Sequence, residues 1–148
     1  MYHSILVALE NSPTDKAILD YVRPLARLTG ASLILTHVAD GHVARNLDQL
    51  NLDESDEIRK DRAYLEEQRR LFESEGFTVT AILAFGDPPK QLVEVAEKSQ
   101  CDLIAMSTHG HRFVGDLIFG SVASAVRHLT DIPVLMVPAK KHHRSSAT

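Results

Sequence analysis

The sequence predicts a single α/β domain, a parallel β-sheet covered by helices, and three observations carry that prediction. Short runs rich in β-branched residues alternate along the chain with longer segments of helical apolar spacing, the pattern of strands joined by helical crossovers. The breaks between these segments are short, as α/β loops are. The chain has 148 residues, of which 44% are hydrophobic and 24% charged, which suits one domain with one core.

Ser4 to Leu9 (SILVAL) reads as a buried first strand, stopped by the turn signals of Glu10-Asn11-Ser12-Pro13. From Thr14 the apolar residues Ala17, Ile18, Tyr21, Val22, Leu25 and Ala26 recur at helical spacing until Gly30, a C-terminal cap. Pro24 lies inside that helix and has no N–H for the Asp20 carbonyl, which predicts a kink or an early end. Ser32 to Val38 is the second strand, and residues 39 to 54 show no sustained period and form a connection. Ser55 to Glu75 carries Ile58, Leu65 and Phe72 seven residues apart, with Gly76 as its stop. Between Asp48 and Glu75 there are 10 acidic and 5 basic residues, so this helix is an outer, solvated layer.

Phe77 to Ala84 is the third strand, Pro88 to Lys98 the third helix with Pro in its first turn, and Asp102 to Ser107 the fourth strand. A glycine-containing loop follows, then a fourth helix from Ser121 to Leu129 with Val122, Ala125, Val126 and Leu129 on one face. Val134 to Val137, between two prolines, is the fifth strand. The tail from residue 140 to 148 has no apolar anchor and is expected to be disordered, leaving 1 to 139 as the domain.

Composition excludes several classes. No stretch approaches the roughly 18 apolar residues of a membrane span, and no signal-peptide core is visible, so a cytoplasmic location without membrane partners is expected. One cysteine, Cys101, closes no intramolecular disulfide and builds no thiolate cluster. A net charge of -4 argues against nucleic acid as the main partner, since such binding draws on clustered Lys and Arg.

In an open parallel sheet, ligands bind beyond the carboxyl ends of the strands, where the winding direction reverses. With strand order 3-2-1-4-5 the reversal falls between strands one and four, so the loops Leu9 to Pro13 and Ser107 to Ser121 face the crevice. The second loop has glycines at 110, 115 and 120 and leads into the helix expected at Ser121. Close backbone approach at glycine and free N–H groups at a helix start together make a site for an anion such as phosphate.

At these residues the sequence resembles a known family. Ser107-x-x-Gly110-x9-Gly120-Ser121 looks like the G-x-x-G-x9-G-[S/T] motif of the universal stress proteins, and ILVALENS at 5 to 12 resembles that family's first-strand opening. Gly86-Asp87-Pro88 and Ile132-Pro133-Val134 also fit the family's text, so the resemblance runs nearly to Pro138. It implies a Rossmann-like, adenine nucleotide alpha hydrolase-like sheet of five parallel strands with helices on both faces. It also implies a homodimer through the last strand and, in one branch of the family, ATP as ligand.

Position by position, the resemblance puts phosphates against Gly110, Gly120 and Ser121, and adenosine against Ala8, Leu9, Glu10 and Val38, with Met106 beside the ligand. Ser107 stands where the ATP-binding branch has its first glycine, and Glu10 where it usually has Asp. A Cβ at 107 hinders close approach if the backbone there needs positive φ, whereas its hydroxyl can itself donate to phosphate.

Thr108-His109-Gly110-His111 is similar to the H-x-G-H of nucleotidyltransferases, but Thr108 replaces the first histidine and the segment follows the fourth strand, so that catalytic reading is rejected. His109 and His111 lack a third metal ligand nearby. The chain has no G-x4-G-K-[ST] and no defensible catalytic triad or carboxylate pair. The leading expectation is a non-enzymatic, dimeric regulatory module of the stress response that binds ATP with magnesium or manganese on the phosphates. The alternatives are a module of the same fold that binds no nucleotide and acts through its surface, and a very slow ATPase.

Overall fold

A computed structural model of the chain describes residues 1–40, 56–108 and 116–139, with the backbone alone for residues 40 and 116–121. The elements are β1 (Ser4–Ala8), α1 (Asp15–Thr29), β2 (Ser32–Asp40), α2 (Asp56–Ser74), β3 (Val79–Gly86), α3 (Pro88–Lys98), β4 (Leu103–Thr108), α4 (Asp116–Leu129) and β5 (Val134–Pro138). The strands form one sheet in the order β3-β2-β1-β4-β5, and every neighbouring pair is parallel. The predicted order and the helical cover on both faces are therefore present.

Strand alternation divides the core in two. Ile5, Val7 and Leu9 of the first strand and its turn, with Leu33, Leu35, Leu103 and Ala105, pack against Ile18 and Val22 of α1 and Leu65 and Phe72 of α2. Leu6, Ile34, Ile104 and Met106 pack on the other face against Leu92, Val93 and Ala96 of α3 and Ala123 and Val126 of α4. Strands buried on both faces explain why SILVA and LIAM read as continuous apolar runs. Among the described residues no helix is long and apolar enough to cross a membrane.

Four expectations need correction, the first being that β3 spans Val79–Gly86 and not Phe77 to Ala84. β2 continues past Val38 to Asp40, because β3 extends the ladder beside it with Val38↔Ala84, Ala39↔Phe85 and Asp40↔Gly86. α1 runs unbroken through Pro24 to Thr29 and its cap at Gly30, whose φ of 75° suits only glycine well. Pro24 is on the solvent side of the helix, where water can serve the carbonyl it leaves unpaired. Finally, α4 begins at Asp116, not Ser121. A glycine inside a helix costs only about 1 kcal/mol against Ala, too little for Gly120 to stop a helix that Leu117-Ile118-Phe119 and Val122 continue on both sides. The connection 41–55 and the tail 140–148 lie outside the described residues.

Candidate functional site

β1 and β4 are neighbours whose connections leave on opposite sides of the sheet, so the reversal lies where the sequence places it. Ala8, Val38 and Met106 stand at the carboxyl ends of β1, β2 and β4 and share the face toward α3 and α4. Leu9 instead sends its side chain into the opposite core, where it is 3% exposed. Its N–H donates to the Thr36 carbonyl (2.8 Å), and its own carbonyl accepts from His37 Nδ1 (2.8 Å).

Ser107 is on β4, in register with Val137 of β5. Its Oγ is buried and has no hydrogen-bond partner among the described residues. Gly110 lies outside the described residues. Gly120 and Ser121 fall in the second turn of α4, and the free N–H groups of a helix belong to its first turn. Gly120 therefore does not supply the helix-end donor that a start at Ser121 would give it.

The turn after β1 holds groups that the sequence did not point out. The Asp15 carboxylate, 2% exposed, accepts from the Glu10 N–H (2.9 and 3.2 Å) and the Asn11 N–H (2.8 Å). The Tyr64 hydroxyl of α2 donates to the same carboxylate (2.6 Å). Burial, and after it this bond to Asp15, hold the Tyr64 phenol far above its ordinary pKa. Asn11 is in the left-handed region at φ 61°, and its side-chain amide donates to Asp61 Oδ1 (2.9 Å). Asp61 Oδ2 in turn stands 3.2 Å from His37 Nε2. One polar network thus joins the β1 turn, α1, α2 and β2.

A sequence signal for half of this network exists. Asp61 sits three positions after Ile58 and four before Leu65, on the apolar stripe of α2, and a charged residue on a buried stripe needs a partner. Asp15, by contrast, resembles any acidic residue in a first helical turn.

Beside the network is a cleft of about 420 Å³ whose lining includes Glu10, His37, Val38, Ala39, Lys60 and Asp61. The Glu10 residue is exposed overall, but its carboxyl end packs against the turn and receives a hydrogen bond from the Thr14 hydroxyl. Partial burial first, and the neighbouring Asp15 carboxylate second, push the Glu10 pKa up, while His37 and the Thr14 bond pull the other way. Such a carboxyl can accept from hydroxyl or amino groups placed in the cleft. Among the described residues no group of three or more His, Cys, Asp or Glu is arranged to hold a metal ion.

Comparison with known proteins agrees with this architecture. Universal stress protein MJ0577 of Methanocaldococcus jannaschii is 27% identical over 157 residues, covering 95% of this chain and 97% of its own. The solved structure of MJ0577 superposes with a TM-score of 0.80 over 96% of this chain and 99% of that one, at 27% identity. A universal stress protein solved in complex with cAMP gives 0.70 at 21% identity, over 94% of this chain and 98% of its own. The universal stress protein of Archaeoglobus fulgidus, solved in complex with dAMP, gives 0.66 at 23% identity, over 92% and 98%. The family model for universal stress proteins matches residues 1–138, and with the sheet order and the position of the crevice this places the chain in the universal stress protein family.

Proposed function

We propose that this chain is a cytoplasmic, dimeric regulatory module that binds ATP at the carboxyl end of its sheet, without being an enzyme. The observation that carries the reading is the Ser107 hydroxyl, buried at the end of β4 beside the reversal point and without a hydrogen-bond partner among the described residues. A buried hydroxyl without a hydrogen bond costs about 1 to 3 kcal/mol, and a phosphate oxygen is an acceptor that would remove that cost. Adenosine belongs at the other end, against Ala8, Leu9, Glu10, Val38 and Met106. There the carboxylates of Glu10 and Asp61 accept from ribose hydroxyls and the adenine amine while repelling phosphate. The complexes that relatives form with cAMP and dAMP support an adenine nucleotide as the ligand class.

Gly110, Gly120 and Ser121 remain the family-implied phosphate contacts, with magnesium or manganese on the phosphates. Among the described residues no base is placed to activate water, and turnover is expected to be at most very slow. The start of α4 at Asp116 favours the second reading, a surface-interaction module that binds no nucleotide, because it removes one donor expected at Gly120.

Calorimetry with magnesium-ATP separates the two readings. The wild type is expected to bind, and Ser107→Gly to bind more weakly by about fivefold to a hundredfold, the loss of one hydrogen bond to a charged group. Tighter binding by Ser107→Gly would mean that the side chain obstructs. No binding by a folded wild type would leave the surface-interaction module.

A further inference from the structure

Two successive N–H groups, those of Glu10 and Asn11, converge on one point just after β1. With Asn11 at φ 61°, this is the backbone concavity that binds anions in other proteins. Here the anion is supplied internally. The Asp15 carboxylate fills the concavity, and Tyr64 from α2 holds that carboxylate from its far side.

Asn11, fixed by this grip, reaches across to Asp61, which faces His37 on β2. Glu10 and His37 both line the cleft. The carboxylate at position 15 serves three donors at once: Oδ2 accepts from both N–H groups and from Tyr64, and Oδ1 accepts from the Glu10 N–H as well.

We propose that Asp15 is a positioning residue for ligand binding: by occupying the anion concavity of the β1 turn it fixes the turn that presents Glu10 to the cleft, and it keeps phosphate away from that end of the site. The inference rests on the nucleotide reading above and adds to it the residue that sets the ligand's orientation. The groups acting on Glu10 include Asp15 and Thr14 around the α1 start and His37 from β2, and Glu57, Lys60 and Asp61 of α2 line the same cleft. Of these, Asp15 is the acidic neighbour that acts most strongly on it. Removing the Asp15 charge while keeping its shape therefore lets Glu10 ionise at lower pH.

The test compares wild type, Asp15→Asn and Asp15→Ala, titrated with magnesium-ATP by calorimetry across pH 4.5 to 8, with folding checked by circular dichroism. Asp15→Asn keeps one acceptor oxygen, which at the Oδ2 position receives both N–H groups, so its affinity at neutral pH is expected to stay within about threefold of wild type, and the acid limb of its affinity curve to move to lower pH. Asp15→Ala leaves the concavity empty, and its affinity is expected to fall about tenfold. Protonation of ATP itself is common to all three curves and cancels in the comparison.

A purely structural Asp15 would lower the unfolding temperature of Asp15→Asn without moving the acid limb, and an unmoved limb overturns the proposal. So does Asp15→Ala binding as tightly as wild type. Should Asp15→Ala not fold, the acid limb of Asp15→Asn decides alone. A wild type that binds no ATP is recognised before any substitution is compared, and it overturns the nucleotide reading and this proposal together.

Discussion

Glu10 is held at a cost to itself. Its folded-state pKa is raised by burial and by Asp15, so the folded protein takes up the proton more readily than the unfolded chain does. By linkage the Glu10 contribution to stability is fully present below the ordinary carboxylate range and is lost as pH rises through the raised value. Glu10→Gln removes the ionisation. The variant is expected to match wild type below the ordinary carboxylate range and to unfold at a higher temperature than wild type at pH values above the raised pKa, where Glu10 is ionised in both states. Thermal unfolding followed by circular dichroism across that range checks the sign. At this scale the sequence was legible through its resemblance to the family, which named Ala8, Val38, Met106 and Ser107, and these stand at or near the carboxyl ends of β1, β2 and β4. It was not legible where two distant elements meet. Tyr64 and Asp15 are 49 positions apart and Asn11 and Asp61 are 50, and nothing in either local pattern specifies the other.

α2 is charged over most of its surface, yet it contributes Ile58, Leu65 and Phe72 to the interior and Asp61 and Tyr64 to the site network. Phe72 is fully buried, lies 5.5 Å from the Phe77 ring, and carries the Arg23 guanidinium 4.4 Å over its own ring. Phe72→Ala is expected to cost about 3 to 5 kcal/mol, as for other buried aromatic truncations, and urea unfolding measures it. The same variant loosens the helix that holds Tyr64, so its ATP affinity should fall as well. The strand boundaries that the sequence missed follow from tertiary pairing, and the helix boundary from a weak local stop. β2 extends because β3 offers it further partners, and β3 starts only at Val79 because the Phe77 N–H is spent on the Phe72 carbonyl (3.1 Å) at the end of α2. α4 starts early because one glycine is too weak a stop.

At the scale of the molecule, β5 is an edge strand. It pairs with β4 on one side, and Met136 on it is 42% exposed. An apolar edge with free backbone groups invites a second strand, and a second copy of this chain is the partner proposed. Light scattering at about micromolar concentration is expected to give a mass twice 16.4 kDa for the wild type. Met136→Asp, a charge placed on that edge, is expected to give the monomer mass with the fold intact. A monomeric wild type under the same conditions would remove the dimer from the proposal. The pairing of β1 has a consequence of a different kind. β1 is central, but its neighbours arrive at very different times during synthesis: Ile5 pairs with Leu33 on one side and with Leu103 on the other. The Asp102 carboxylate that receives the His3 and Ser4 N–H groups is 99 and 98 positions from them. A nascent chain that has not yet released residue 103 from the ribosome therefore carries this apolar strand with one side open. Closure of the sheet waits on the last third of translation, and until then the open side of β1 is exposed to mispairing.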